Sequence, residues 1–150
     1  MQQVNFKKGI EDLEEIYHEN IPQWVIIDDL MHESSNSKII SDLFTKGSHH
    51  RNISIILIVQ NFFIKGREMR NITLNSQYIV LFTNPRDKSL ASSIARQMYP
   101  ERSSWFQKVY VKATLDPFSY LFIDLKPSTP EQIRLMTNVL GEKNYITTYT

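Results

Sequence analysis

The sequence predicts an α/β fold built on a parallel sheet, and three observations lead there. First, short apolar runs rich in β-branched residues recur at 23–27, 53–59 and 77–82. Runs of this kind mark strands buried on both faces. Second, segments with helical spacing of apolar residues lie between them, so strand alternates with helix. Third, each run ends in polar residues: Asp28-Asp29, Gln60-Asn61, and Thr83-Asn84-Pro85-Arg86-Asp87.

The first run, Trp24-Val25-Ile26-Ile27, feeds directly into two carboxylates. Carboxylates at the C-terminal end of a buried strand sit where open α/β sheets bind ligands. If the strand conformation continues, Asp28 and Asp29 point to opposite sides and can divide two tasks. One can hold a metal ion or its water shell while the other orients a water. The plain alternative is that acidic residues end a strand at the surface. Upstream, Val4-Asn5-Phe6 suits a short strand and Lys7-Lys8-Gly9 a turn. Ile10, Leu13, Ile16 and Tyr17 suit one face of a short helix, ended by Asn20-Ile21-Pro22.

After the carboxylates, Ser34-Ser35-Asn36-Ser37 is a cluster of helix N-cap residues. Ile39, Ile40, Leu43 and Phe44 then share a helical face, and Gly47 stops it, which predicts a helix of roughly three turns. His49 and His50 in the following loop invite a metal reading. They lack an acid or third histidine at ligand spacing, so exposed or hydrogen-bonded histidines are favoured. Ile53 to Val59 is the most apolar run and is expected to be central. An amide at its tip, Gln60, can hydrogen-bond a phosphate oxygen and a water together, a role that depends on placement. It can equally cap the next turn.

Residues 62–71 mix Phe62 and Phe63 with Lys65, Arg67 and Arg70. Basic and aromatic residues on a loop can touch nucleic-acid phosphate and sugar. The alternative packs the rings on the sheet and leaves the cations solvated. Met69, Ile72 and Leu74 suggest a short helix. The third strand, Gln77 to Phe82, is followed by Asn84 as a helix cap with Pro85 at the first helical position. Leu90, Ala91, Ile94, Ala95 and Met98 form that helix's buried stripe. Arg86, at the strand-to-helix junction, can reach a phosphate in its own subunit or the next, or pair with Asp87. Ser103 or Ser104 caps another helix, with Trp105, Phe106, Val109, Tyr110 and Ala113 on one side. Ser119 to Asp124 reads as a fourth strand nearer a sheet edge. Gln132 to Leu140 fits a strand or a short helix, and Tyr145 to Thr150 reads as a loose tail. The expected organisation is one domain over 1–140 and a tail over 141–150.

At 150 residues, with 41% hydrophobic and 22% charged residues, the composition is that of a soluble domain. There is no cysteine, which excludes disulfides and thiolate metal sites. The apolar runs are too short to span a bilayer and the N-terminus carries no signal segment, so a soluble intracellular protein without a membrane partner is expected. Charge is lopsided. Residues 1–33 carry two lysines against eight acids, and residues 34–150 carry fifteen Lys and Arg against eight acids, a net +7. The second part can therefore meet a polyanionic partner, although solvated lysines are the default.

Several segments together carry a resemblance. They are Val25-Ile26-Ile27-Asp28-Asp29-Leu30-Met31, residues 45–54 leading into Ile58-Val59-Gln60-Asn61, Tyr78 to Arg86, Ala95-Arg96-Gln97 with Tyr99-Pro100, and Tyr120 to Asp124. In that order the chain resembles the C-terminal two-thirds of a P-loop ATPase of the FtsK–HerA type. More narrowly it is similar to the viral DNA-packaging ATPases of poxvirus-like viruses, Maverick/Polinton-type elements and adintoviruses. The resemblance covers most of residues 1–140. It implies a RecA-like P-loop NTPase core of the ASCE kind, truncated at its N-terminus. Asp28 would hold Mg²⁺ through its water shell, Asp29 would polarise the attacking water, and Gln60 would sense the γ-phosphate of ATP. Arg51 or Arg86 would act as a finger across a homo-oligomeric ring. Lys65, Arg67 and Arg70 would face double-stranded DNA in its pore.

Two departures qualify the resemblance. Many relatives carry Glu where this chain has Asp29. No Gly-x-x-x-x-Gly-Lys-[Ser/Thr] is present, because none of Gly9, Gly47, Gly66 and Gly141 precedes a Lys-Ser/Thr pair. In the family that phosphate cradle lies upstream, and its strand sits between those ending in Gln60 and beginning near Tyr78. The expectation is a partial DNA-translocating ATPase domain that binds ATP and Mg²⁺ weakly and hydrolyses nothing alone. The alternatives are a non-catalytic nucleic-acid- or subunit-binding module, or an inactive remnant of a viral element.

Overall fold

The computed structural model describes Phe6, Gly9, Leu13 and residues 23–28, 37–47, 53–61, 67–87, 89–140 and 145–150. Apart from those three single residues, the N-terminal strand and helix expected above lie outside this set. The chain forms two compact units, residues 1–76 and 77–150.

The first unit contains β1 (Gln23–Asp28), α1 (Lys38–Asp42), β2 (Ile53–Ile58) and α2 (Arg67–Asn75). Ser37 caps α1, its hydroxyl accepting from the Ile40 N–H at 3.4 Å. The helix then widens into a π turn over Leu43–Gly47. β1 and β2 pair in parallel, with Val25 opposite Ile55 and Asp28 opposite Ile58. Val25, Ile27 and Ile53 are buried with Ile40 and Leu43 from α1 and its extension, and with Met69 and Ile72 of α2. Leu74, expected on that side of α2, is 73% exposed.

Burial on both strand faces was expected here, and the structure corrects it. Trp24, Ile26, Ile56 and Ile58 are 73%, 64%, 41% and 49% exposed. A strand is buried twice only where a layer lies on each side. In this unit the described helices contribute to one core, leaving the even-numbered face of the sheet open.

The second unit holds a four-stranded antiparallel sheet in the order β3-β4-β5-β6. Its strands are β3 (Tyr78–Phe82), β4 (Tyr120–Asp124), β5 (Leu135–Thr137) and β6 (Thr147–Thr148). Between β3 and β4 run α3 (Ser89–Met98), a 3-10 turn (Pro100–Arg102) and α4 (Ser103–Ala113). The parallel sheet expected from strand–helix alternation does not extend to these strands, since Tyr78 faces Asp124 and Phe82 faces Tyr120. The reason is the connection. One crossover helix returns the chain to the start of a strand; two helices packed together bring it back to the end, which imposes antiparallel pairing.

Leu81, Leu121, Ile123 and Leu135 of the sheet are buried, as are Leu90, Ala91, Ile94 and Ala95 of α3 and Phe106, Val109 and Ala113 of α4. The other sheet face carries Tyr78 against Phe122, ring centroids 5.3 Å apart, and Phe82 against Tyr120 at 5.8 Å. Side chains also tie backbone across this unit. The Tyr110 hydroxyl donates to the Phe82 carbonyl at 3.0 Å, Thr83 Oγ1 to the Thr114 carbonyl at 2.9 Å, and Thr137 Oγ1 to the Tyr120 carbonyl at 2.7 Å. The Arg134 guanidinium donates to the carbonyls of Asp124 and Thr129, both at 2.7 Å, and to that of Lys126 at 3.3 Å. Its Nε meets the Glu131 carboxylate at 2.9 Å.

Local boundaries also differ from expectation. α3 opens at Ser89 rather than Pro85, because the Asn84 side chain closes a tight turn by accepting from the Arg86 N–H at 3.0 Å. Asp87 takes over the capping, accepting from the Ser89 N–H at 2.9 Å and hydroxyl at 2.6 Å. The Ser89 hydrogen bond leads the effects that hold the Asp87 carboxyl below its ordinary value. α4 follows the 3-10 turn directly, so neither Ser103 nor Ser104 caps it. The ambiguous stretch resolves into a 3-10 turn (Glu131–Ile133) and β5. The tail read as loose contains β6, and the Tyr149 N–H donates to the Leu135 carbonyl at 3.0 Å. Among the described residues no helix is long and apolar enough to cross a membrane.

Candidate functional site

Asp28 is the last residue of β1, and Gln60 lies two residues beyond the end of β2. Because the strands are parallel and in register, both residues leave the sheet at one rim, its C-terminal rim. Strand alternation carries Asp28 onto the open face, following Trp24 and Ile26. Gln60 lies past the end of β2, in a bend. Both side chains are exposed. The amphipathic logic is local: odd-numbered strand residues turn into the core, so the even-numbered Asp28 turns out of it.

This rim has definite chemical capacity. An exposed carboxylate can hold a hydrated divalent cation that completes its shell with water and phosphate oxygens, as Mg²⁺ prefers. The Gln60 amide can donate to a phosphate oxygen while its carbonyl accepts from a water. Among the described residues no group of three His, Cys, Asp or Glu side chains converges. Asp28 would therefore share any ion with the ligand and solvent.

The other candidates are placed differently. Asp29, Arg51 and Lys65 lie outside the described residues, as do His49 and His50. Arg67 and Arg70 stand in the first turn of α2, exposed, while Met69 and Ile72 turn into the core. Three residues apart, they share the outer side of that helix. Arg86 belongs to the second unit, in the exposed turn after β3. It forms no ion pair with Asp87, whose carboxylate is engaged by Ser89.

Sequence reasoning missed a basic and aromatic row in the second unit. Arg102 lies over the Trp105 ring at 4.5 Å and near the Tyr99 ring at 5.4 Å. Lys112 lies 5.8 Å from the Tyr149 ring centre. The signal was available: Arg102, Trp105, Lys108 and Lys112 are spaced three, three and four apart, which is one helical face. It was obscured because Trp105 was assigned to the apolar side. Behind the row, the Tyr99 hydroxyl is buried and makes no well-formed hydrogen bond among the described residues. Burial, and then the neighbouring Glu131 carboxylate, push the Tyr99 phenol above 10.0. The same contact with Tyr99, then Arg134 and Arg102, hold the Glu131 carboxyl below 4.5.

Compared with known protein families, curated proteins and solved structures, the chain matches none.

Proposed function

We propose that this chain is part of a DNA-translocating ATPase of the FtsK–HerA type, contributing the carboxylate and sensor side of the nucleotide site. The observation that supports this most is the pair Asp28 and Gln60, both exposed, at the one rim where two adjacent parallel strands end. In such a site Asp28 holds Mg²⁺ with the nucleotide's phosphates, Asp29 polarises the attacking water, and Gln60 contacts the γ-phosphate. Residues 1–150 contain no glycine-rich phosphate cradle, so the chain by itself binds ATP weakly and turns none over. The open face with Trp24, Ile26, Ile56 and Ile58 suits a parallel sheet that receives a second layer.

The test is paramagnetic line broadening with Mn²⁺ and a millimolar ATP analogue. Amide signals of Asp28 and Gln60 broaden together, and Asp28→Asn removes the effect at both. Broadening at neither residue overturns the proposal, and ATP turnover by the purified chain that Asp29→Asn abolishes overturns the statement that the chain by itself hydrolyses none.

A second reading, a non-catalytic nucleic-acid-binding module, is favoured by Arg67 and Arg70. They are exposed on one side of α2, and neither pairs with a carboxylate among the described residues. Salt-dependent DNA binding lost on their neutralisation, without any nucleotide effect at Asp28, would select it.

A further inference from the structure

We propose that the outer side of α4, with the turn before it and β6 beside it, is a second nucleic-acid-backbone contact surface. It lies wholly in the second unit and does not depend on the Asp28–Gln60 rim.

Three observations carry this. Arg102, Lys108 and Lys112 are exposed on one side of the turn and helix, and none is ion-paired among the described residues. Glu101 is the acid nearest in sequence at the start of this row and Asp116 the nearest beyond its end. Lys108 and Lys112 stand one turn apart, roughly 5–6 Å between their Cβ atoms, and line a shallow groove with Trp105, Thr148 and Tyr149. With Val109 and Thr150 also lining it, the groove combines two ammonium groups that pair with no carboxylate among the described residues, two threonine hydroxyls and two rings. Phosphate oxygens take the ammonium and hydroxyl donors. Sugars and bases lie against rings and against a guanidinium held flat on a ring, as Arg102 is on Trp105.

Charge complementarity selects the polyanion, and the rings select nucleic acid over an acidic peptide. A membrane would be met by protruding apolar side chains. Val111 and Leu115, 61% and 77% exposed, line an adjoining groove on α4 that shares Lys108 and Lys112, so the vesicle arm of the experiment decides between membrane and nucleic acid. Trp105 and Tyr149 are half-buried under their cations.

The experiment is fluorescence anisotropy of the full chain with labelled single-stranded and duplex oligonucleotides over a salt series. The double variant Lys108→Ala/Lys112→Ala loses about tenfold in affinity and flattens the slope of log K against log salt by roughly 1.4–1.8, two phosphate contacts' worth. Lys108→Arg/Lys112→Arg keeps both. Arg67→Ala/Arg70→Ala leaves the contribution of the α4 lysines intact, which separates the two surfaces. Both α4 lysines are exposed, and an unchanged melting curve verifies that each variant is folded. No binding by the wild-type chain, or an unchanged slope in the Ala variant, overturns the proposal. So does tighter binding to phosphatidylserine vesicles or polyglutamate than to oligonucleotides.

Discussion

Both units set helices against one face of a sheet, yet the sheets differ in kind. Among the described residues the first has two parallel strands, each paired along one edge, and an open face of Trp24, Ile26, Ile56 and Ile58. The second has four antiparallel strands, and Tyr110, Thr83, Thr137 and Arg134 fasten its backbone from several directions. An antiparallel sheet tolerates one solvated face; a parallel sheet seldom does. Nor does a strand pair normally present edges as plain as Ile53-Ser54-Ile55-Ile56-Leu57-Ile58, without lysine, proline or bulge to blunt them. The difference teaches that the second unit is furnished to stand by itself, while the first is shaped to be completed by further structure.

That contrast can be broken at its strongest point first. Phe106 is fully buried in the second unit, and Phe106→Ala should cost about 3–5 kcal/mol. The two tryptophans, Trp24 and Trp105, fall one in each unit, so each reports separately. In a urea melt of the Phe106→Ala chain carrying Trp105→Phe, Trp24 should keep its transition. Loss of the Trp24 transition in that chain would show one cooperative body.

Arg134 comes next. Arg134→Ala removes three carbonyl contacts and an ion pair from a side chain only 17% exposed, and should cost about 1.5–3 kcal/mol. Arg134→Lys should not restore it, because a point ammonium cannot reproduce the planar fork. Calorimetry on both variants decides this. Full rescue by lysine would reduce the clamp to simple charge.

pH then separates the units more gently. Tyr99 sits above 10.0 when folded, so its contribution is whole below that value and fades as pH rises through the folded value. Glu131 is held below 4.5, so its contribution is present above that value and is lost as pH falls through the folded value. Melting curves should therefore weaken at both extremes, with Tyr99→Phe flattening the alkaline arm and Glu131→Gln the acid arm. Unchanged arms in these variants would remove the pair from the account.

The smallest effect sharpens the comparison from the other side. Ile58→Thr on the open face should change the stability of this chain by no more than about 0.5 kcal/mol. Ile27→Ala, on the covered face of the same sheet, should cost about 2–5 kcal/mol. Equal costs would mean that the open face is occupied in solution.

Much of this was legible in the residues. The strand from 78 to 82, the buried stripe Leu90-Ala91-Ile94-Ala95 and the rim ending in Asp28 follow from apolar spacing alone, because burial is what that spacing encodes. Strand direction in the second unit was not legible. It depends on whether one helix or two complete the crossover, and each helix reads the same in either case. The capping by Asp87 was hidden by Asn84-Pro85, a pair that serves a turn as readily as a helix start. One-sided burial of β1 and β2 could not be read either, since an isoleucine awaiting a cover looks like one already covered. Of the candidate site, the placement of Asp28 and Gln60 at neighbouring strand ends was legible. The Arg102–Lys112 row was passed over because its tryptophan was counted as core.

The shared direction of β1 and β2 also bears on how the polypeptide emerges from a ribosome. Two strands running the same way cannot zip from a tight hairpin, so β1 cannot complete its pairing with β2 until residue 58 has been made. Through that interval its row of Trp24 and Ile26 is sticky, and sticky nascent surface is what chaperones and early-binding subunits seize. Whatever finally seats on that row has its first opportunity during synthesis, before the second unit exists to be read.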